Sequence, residues 1–233
     1  MEQPNRARGF LLAVVWFLVF VLLLLGAAGW VAFDRSHYLQ QYRKLGTAAQ
    51  VGMSEEALMR VTGVWMEYLI GARDTLDTQE TVSGAPREVF TAQEKAHMVD
   101  VKNLFTWGIR LAAASLVLAA GLFAFCALRW RRGLAKALSR SFFRALIAFG
   151  ALFALIALAF AIDFNWAFTW FHRIFFRNDL WLLDPAESLM IQMVPEPFFM
   201  SCVTRLLVAV AAVLAALCAA MAYLGRRGRH GVR

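Results

Sequence analysis

Two histidines, and the acids and amide near them, are the residues best suited to chemistry in this chain. His97 sits in EKAHMVDVK, and His172 opens FHRIFFRNDLWLLDPAESLMIQMVPEPFF after Phe171. Imidazole titrates near neutrality and can take and give a proton within one cycle. Asp100, about one helical turn after His97, is placed to hold its tautomer, and Asp179 or Asp184 is a candidate to do so for His172. Asn178, Arg173 and Arg177 are candidates to stabilise developing negative charge or to grip a lipid phosphate. The acids can equally pair with Arg173, Arg177 or Lys102, and each histidine can serve simply as an interfacial anchor. Glu196, between Pro195 and Pro197, reads as a helix-start acid before it reads as part of a site. Two histidines and a carboxylate can hold a metal, but no HExxH or comparable spacing supports one, so no metal is expected. Nucleophile elbow, phosphate loop and dinucleotide fingerprint are all missing, and no cofactor is expected.

The elements that must position these residues are apolar. Of 233 residues, 61% are hydrophobic and 17% charged, a balance typical of polytopic membrane proteins. Four runs are long enough to cross about 30 Å of hydrocarbon as helices. They lie at about 10–33, 104–128, 142–168 and 198–224. An all-α membrane protein follows, because a helix satisfies its own backbone in lipid and no ten-residue alternation suggests a barrel. One integral domain is expected over 1–233, with a large extracytoplasmic region at 34–103 and a re-entrant-like loop at 169–197. The link at 129–141 is short, so the second and third spans form an antiparallel pair.

The net charge of +8 is uneven. Arg6 and Arg8 precede the first span, while Arg129, Arg131, Arg132, Lys136, Arg140 and Arg144 crowd the link. Arg226, Arg227, Arg229 and Arg233 follow the fourth span. The positive-inside rule puts these clusters, and both termini, in the cytoplasm. The basic residues are thus topology signals rather than a nucleic-acid surface, and the partner they imply is a phospholipid bilayer. His97 then lies about 10 Å before the second span and His172 just after the third, at one depth on the outer side. His37 reads as interfacial and His230 as incidental. Cys126, Cys202 and Cys218 all fall within spans and read as packing residues. The first span is longer than a signal-peptide core and reads as an uncleaved anchor. Arg110, Asp163 and Arg205 lie near the outer ends of spans, placed to snorkel or to pair.

Between the first two spans, Ser54-Glu55-Glu56 starts a helix with Leu58, Val61, Trp65 and Leu69 on one face, ended by Gly71. That face is expected on the bilayer or against the outer ends of the spans, with Trp65 and Tyr68 at the interface. Tyr68 and Trp181 join Arg173 and Arg177 as candidate lipid or head-group contacts. The stretch from Asp74 to Glu88 reads as a loop. Thr91-Ala92-Gln93-Glu94 is a capping box whose helix runs on through His97 into the second span.

The segment around His97, the long segment after His172, and YLQQYRKLGTAAQVGMSEEALMRVTGVWMEYLIG from Tyr38 together resemble the lipoprotein intramolecular transacylases, small four-span bacterial membrane enzymes. The resemblance covers nearly the whole chain. The departures fall mainly in the Asp74–Arg87 loop and the arginine-rich tail, and Glu187 stands where the family pattern often has Asp. It implies an enzyme of the bacterial cell membrane with an outward-facing site and a diacylated lipoprotein as substrate. The implied reaction moves the sn-2 acyl chain of the diacylglyceryl group to the α-amine of the lipid-bearing N-terminal cysteine, leaving a lyso-form lipoprotein. The resemblance implies catalytic roles for His97 and His172. The mechanism expected from their chemistry has one take a proton from the amine and the other give one to the departing oxygen, with a covalent acyl-histidine as the competing route. Two other readings compete: a non-catalytic assembly or lipid-binding protein, and an intermolecular N-acyltransferase drawing on phospholipid. The last runs through a cysteine thioester in its usual family, and every cysteine here is within a span.

Overall fold

The computed structural model describes the backbone of residues 3–230 and the side chains of residues 6–226; Arg227, Arg229, Arg233 and His230 lie outside the described side chains. Among the described residues, four helices are long and apolar enough to cross a membrane. They are α1 (Gln3–Ala32), α5 (Ala92–Arg129), α6 (Leu134–Ile162) and α9 (Glu196–His230). Shorter helices lie between them: α2 (Arg35–Leu45), α3 (Thr47–Gln50), α4 (Glu55–Leu69), α7 (Phe164–Phe175) and α8 (Leu189–Met193). Two strands, β1 (Gln79–Val82) and β2 (Ala85–Glu88), complete the described elements.

The third apolar run differs from the expected single span. It breaks at Asp163, whose backbone is extended (φ −148°, ψ 99°), and restarts as α7. Asp163 and Asn165 interrupt the apolar sequence there, and α7 is amphipathic, burying Phe164, Ala167 and His172 on one face. His172 is therefore in the last turn of a separate helix, not in a loop after a span. The Asp74–Glu88 stretch also departs from expectation, forming a β-hairpin paired from Gln79↔Glu88 to Val82↔Ala85. Its Ser83-Gly84 turn has positive φ at both residues, the geometry that suits a right-twisted hairpin. Ser83 donates its backbone N–H to the Gly52 carbonyl at 2.7 Å. A side chain at Gly52 would collide with Ser83, so glycine fixes the hairpin at that contact.

Two compact units emerge, each with its own core. One comprises the described parts of Met1–Ala28, Arg110–Asp163 and Leu206–Arg233. Trp16, Phe20, Phe142 and Phe149 pack there against Val210 and Met221, and the Trp16 indole donates to the Leu138 carbonyl at 3.1 Å. The other comprises Gly29–Ile109 and Phe164–Arg205. Its core is built from α4, the hairpin, the start of α5 and residues 189–198. Leu58 and Val61 are fully buried in it, and Leu69 nearly so. The apolar face of α4 is thus covered by protein rather than laid on a bilayer. Of the two expected covers, the outer ends of the spans supply part of it, through Met98 of α5 and Phe198 of α9, and the hairpin and residues 189–194 add the rest.

Arg205, expected to snorkel or pair, bonds Asp34 at 2.7 Å and lies over the Trp30 ring. Asp34 also caps α2 and accepts the Ser36 hydroxyl; that bond, ahead of the Arg205 guanidinium, draws its carboxyl down to about 2. His37, read as interfacial, is 4% exposed, with Nε2 3.0 Å from Ser201 Oγ.

Candidate active site

The first turns of α5 organise the site. Thr91 and Glu94 form the expected capping box: the Glu94 N–H donates to Thr91 Oγ1, and the Thr91 N–H donates to Glu94 Oε2. Glu94 does more than cap. It is fully buried, and its other oxygen accepts the Ser188 hydroxyl and, at 3.0 Å, the Met190 N–H. Gln93 donates to the carbonyls of Leu180 and Leu182. Two turns on, Asp100 accepts from Asn178 Nδ2 at 2.8 Å. Gln93, Glu94, His97 and Asp100 recur at helical spacing, so one edge of α5 carries the histidine between its clamps on the 178–190 segment.

That arrangement brings the two imidazoles together. Their ring centroids are 6.0 Å apart, and both residues are 7% exposed. Aromatic rings surround them. Phe176 lies 5.2 Å from His97 and 5.4 Å from His172, while Phe168 and Trp181 lie 4.0 Å and 4.9 Å from His172. Helix α5 is 38 residues long, about 57 Å, far more than a bilayer's hydrocarbon requires. His97 precedes its apolar run, which begins near Leu104.

The hydrogen bonds distinguish the two rings. His172 Nδ1 is 2.8 Å from the Phe168 carbonyl. A carbonyl only accepts, so Nδ1 carries the proton and Nε2 of the neutral ring keeps its lone pair. Nδ1 of His97 is buried with no hydrogen-bond partner among the described residues. Buried orphan N–H groups are rare, so the proton belongs on Nε2, which makes that atom the donor. Burial pushes the His97 pKa down to about 4, with the nearby His172 adding to the effect. Burial also lowers the His172 pKa, opposed by its bond to Phe168. Both rings are therefore neutral at pH 7.

Several expected contacts take other forms. Asp100 holds Asn178 rather than the Nδ1 of His97. The orienting partner of His172 is the Phe168 carbonyl, not Asp179 or Asp184. The Asp184 side chain instead caps a turn at Ala186, and the Asp179 carbonyl accepts from Leu182 in the turn that carries Trp181. A backbone acceptor one turn back on the same helix leaves no trace in side-chain spacing, which is why the sequence pointed to the acids. Glu196 lies in the first turn of α9, 3.5 Å from Asn165 Nδ2, as a helix-start acid. Arg173 is exposed beside the Trp170 ring, and Arg177 is exposed on the segment after α7. Tyr68, expected at head-group level, is 6% exposed beneath the Lys102 ammonium, because α4 turns that face inward. Glu94 and Gln93 are the residues that the sequence reading missed as site supports. The capping box marked Glu94, but its partners Ser188 and Met190 lie more than ninety residues away.

Comparison with known proteins places the chain among integral-membrane acyltransferases. The model of the family described as lipoprotein intramolecular transacylase Lit matches residues 12–199, and the chain belongs to that family. Comparison with curated protein sequences finds no match. Among solved structures, the membrane-integral lipoprotein intramolecular transacylase Lit from Bacillus cereus is similar at TM-score 0.74 and 23% identity, over 99% of this chain and 100% of that one. A variant of the same protein with one histidine changed to arginine matches at TM-score 0.73 and 21% identity, over 99% and 96%. A further variant, with histidine changed to alanine, matches at TM-score 0.71 and 22% identity, over 98% and 97%. At these identities the structures establish the shared fold.

Proposed function

We propose that this enzyme transfers the sn-2 acyl chain of a diacylated lipoprotein to the α-amine of its own lipid-bearing N-terminal cysteine. The observation that carries the proposal is the pair of buried imidazoles, 6.0 Å apart and contributed by α5 and α7. His172 Nε2 takes a proton from the amine as its nitrogen attacks the ester carbonyl. The N–C bond forms, the C–O bond to glycerol breaks, and the departing oxygen takes its proton from His97 Nε2–H. The His172 imidazolium then restores the proton on His97, so the net change moves one proton from nitrogen to oxygen. The second Nδ2–H of Asn178, the one not given to Asp100, is the candidate donor to the oxyanion. Trp181 and the exposed Arg173 and Arg177 suit contact with the acyl chain and the interface. Amine and ester belong to one molecule, so orientation contributes much of the rate, up to about 7–11 kcal/mol in well-aligned systems. The basic link and tail face the cytoplasm of a bacterial cell, and the histidines face outward, where a lipoprotein head group projects.

Mass spectrometry of a lipoprotein N-terminal peptide tests the reaction. With the enzyme, total mass is conserved while one acyl chain moves from the ester to the amide. A gain of one chain's mass would establish intermolecular transfer instead, and an unchanged peptide would leave only a binding role.

The pH profile tests the histidine roles. The substrate amine has a reference pKa of about 8, so log kcat/KM should rise with slope near +1 up to that pH. A base of ordinary histidine pKa, about 6.5, would steepen the profile below that value. Because burial lowers the His172 pKa, steepening should begin only at more acidic pH. An inflection at or above 6.5 that disappears in H172F would contradict the buried-base assignment.

The Asp100–Asn178 bond makes a third prediction. Mutants D100A and N178A should each slow transfer, and the double mutant should lose little more than the worse single, because both remove one clamp. Additive losses would assign Asn178 a role independent of Asp100.

A further inference from the structure

A cavity of about 530 Å³ opens in the unit built from α6, most of α1 and α9, and the second half of α5. Its lining includes Arg140 and Arg144 of α6, Arg226 of α9, and Ser139, Phe143 and Gly225. No acid is among the lining residues. Among the described residues none of the three arginines makes an ion pair or hydrogen bond. Ser139 is 8% exposed, and its hydroxyl likewise has no hydrogen-bond partner there. A side chain at position 225 would meet Ser139 Oγ at 2.7 Å, so glycine is what lets the two helices meet beside the cavity.

Three unpaired guanidinium groups facing one space repel each other, and the Ser139 hydroxyl at the cavity wall is free to donate into it. The repulsion is relieved, and the hydroxyl given an acceptor, by a ligand with several anionic oxygens, for which the planar guanidinium fork is well matched. The position along the helices narrows the ligand further. On α6 the uninterrupted apolar run begins just after Arg144, and on α9 it ends just before Arg226. The cavity therefore lies where hydrocarbon gives way to head groups. Phe143 and Ala222 add an apolar wall suited to an acyl chain. We propose that this cavity binds the glycerophosphate head group of an anionic phospholipid, with phosphate oxygens on Arg140, Arg144 and Arg226 and the Ser139 hydroxyl donating to one of them. Basic pockets between spanning helices on the cytoplasmic side are a recurrent solution for such lipids. The site is separate from the histidine pair and independent of the reaction proposed for it.

The test is native mass spectrometry of the delipidated full-length protein in neutral detergent. Phosphatidylglycerol, phosphatidylcholine with the same chains, and inorganic phosphate are titrated in separate arms. Phosphatidylglycerol should be retained at least 10-fold more tightly than phosphatidylcholine, and millimolar phosphate should not displace it. R140Q/R144Q should reduce that retention at least 10-fold. R140K/R144K keeps the charge that sets topology and folding but loses the forked grip, so it should reduce retention several-fold with an unchanged melting temperature. R129Q/R131Q, which alters basic residues outside the cavity, should bind as the wild type does. Equal retention of the two lipids, equal loss in R129Q/R131Q, wild-type binding by R140K/R144K, or inorganic phosphate competing as well as the lipid would each overturn the proposal.

Discussion

Replacing His172 with phenylalanine is expected to lower acyl transfer by about 10²–10⁴-fold, the usual contribution of a positioned acid or base, while leaving the protein folded in the membrane. Phenylalanine keeps a ring between Phe168 and Trp181, so the packing survives and only the nitrogen chemistry is lost. His97 replaced with phenylalanine should cost a comparable factor, since its ring also sits against an aromatic, Phe176. The two variants should differ in how the remaining activity responds to pH. Without His172 the base is gone, and the steepening at acidic pH should vanish from the profile. Without His97 the base remains and the steepening should persist at the wild-type pH, because a neutral His97 adds no charge beside His172, whose pKa is lowered by burial. The double variant should be little slower than either single, as expected for residues acting in one proton transfer. Transfer at wild-type rate in either single variant, with an unchanged melting temperature, would remove that ring from the chemistry.

The chain's apolar runs made the four long helices legible, because length and composition alone decide whether a helix can cross hydrocarbon. The capping box at Thr91 likewise marked where α5 starts, since its signal is local. The meeting of His97 and His172 was legible only indirectly. Charge asymmetry placed them on one side, and span lengths placed them at one depth, but neither consideration oriented the rings. What escaped notice was non-local or hidden in polarity. The break at Asp163 looked like one polar residue near a span end, yet it separates α6 from a helix of different character. The hairpin had only four residues per strand and too little alternation to declare itself. The apolar stripe of α4 is legible as a stripe, and of its two expected covers the structure has the outer ends of the spans; the further cover from residues 189–194 is not legible, because they become neighbours only in three dimensions.

Glu94 illustrates how a local motif can conceal a tertiary one, and its replacement should have the second large effect. E94A leaves three donors without their acceptor: the Thr91 N–H, the Ser188 hydroxyl and the Met190 N–H. Hydrogen bonds to a charged group are each worth about 1.5–3 kcal/mol, and donors left buried cost more than donors that reach water. A sum of the three overstates the loss, because the 184–190 turn is then free to swing outward and hydrate. That movement is what matters for activity. The turn continues from the segment that carries Trp181 and ends at Met190 in the core, so its release uncovers His172. The melting temperature should fall and transfer should slow by at least 10-fold. The pH at which the profile steepens should also move up toward the ordinary imidazole value, since the burial that lowers the His172 pKa is relieved. The isosteric E94Q separates these effects. Its amide oxygen can still accept from Ser188 and Met190, while its NH₂ group faces the Thr91 N–H, so it should lose the cap and keep the clamp. A small fall in stability with a wild-type pH profile is the expected result for E94Q. If E94A instead loses stability while its profile stays unshifted, the carboxylate only starts a helix, and the exclusion of water from His172 must come from the aromatic rings alone.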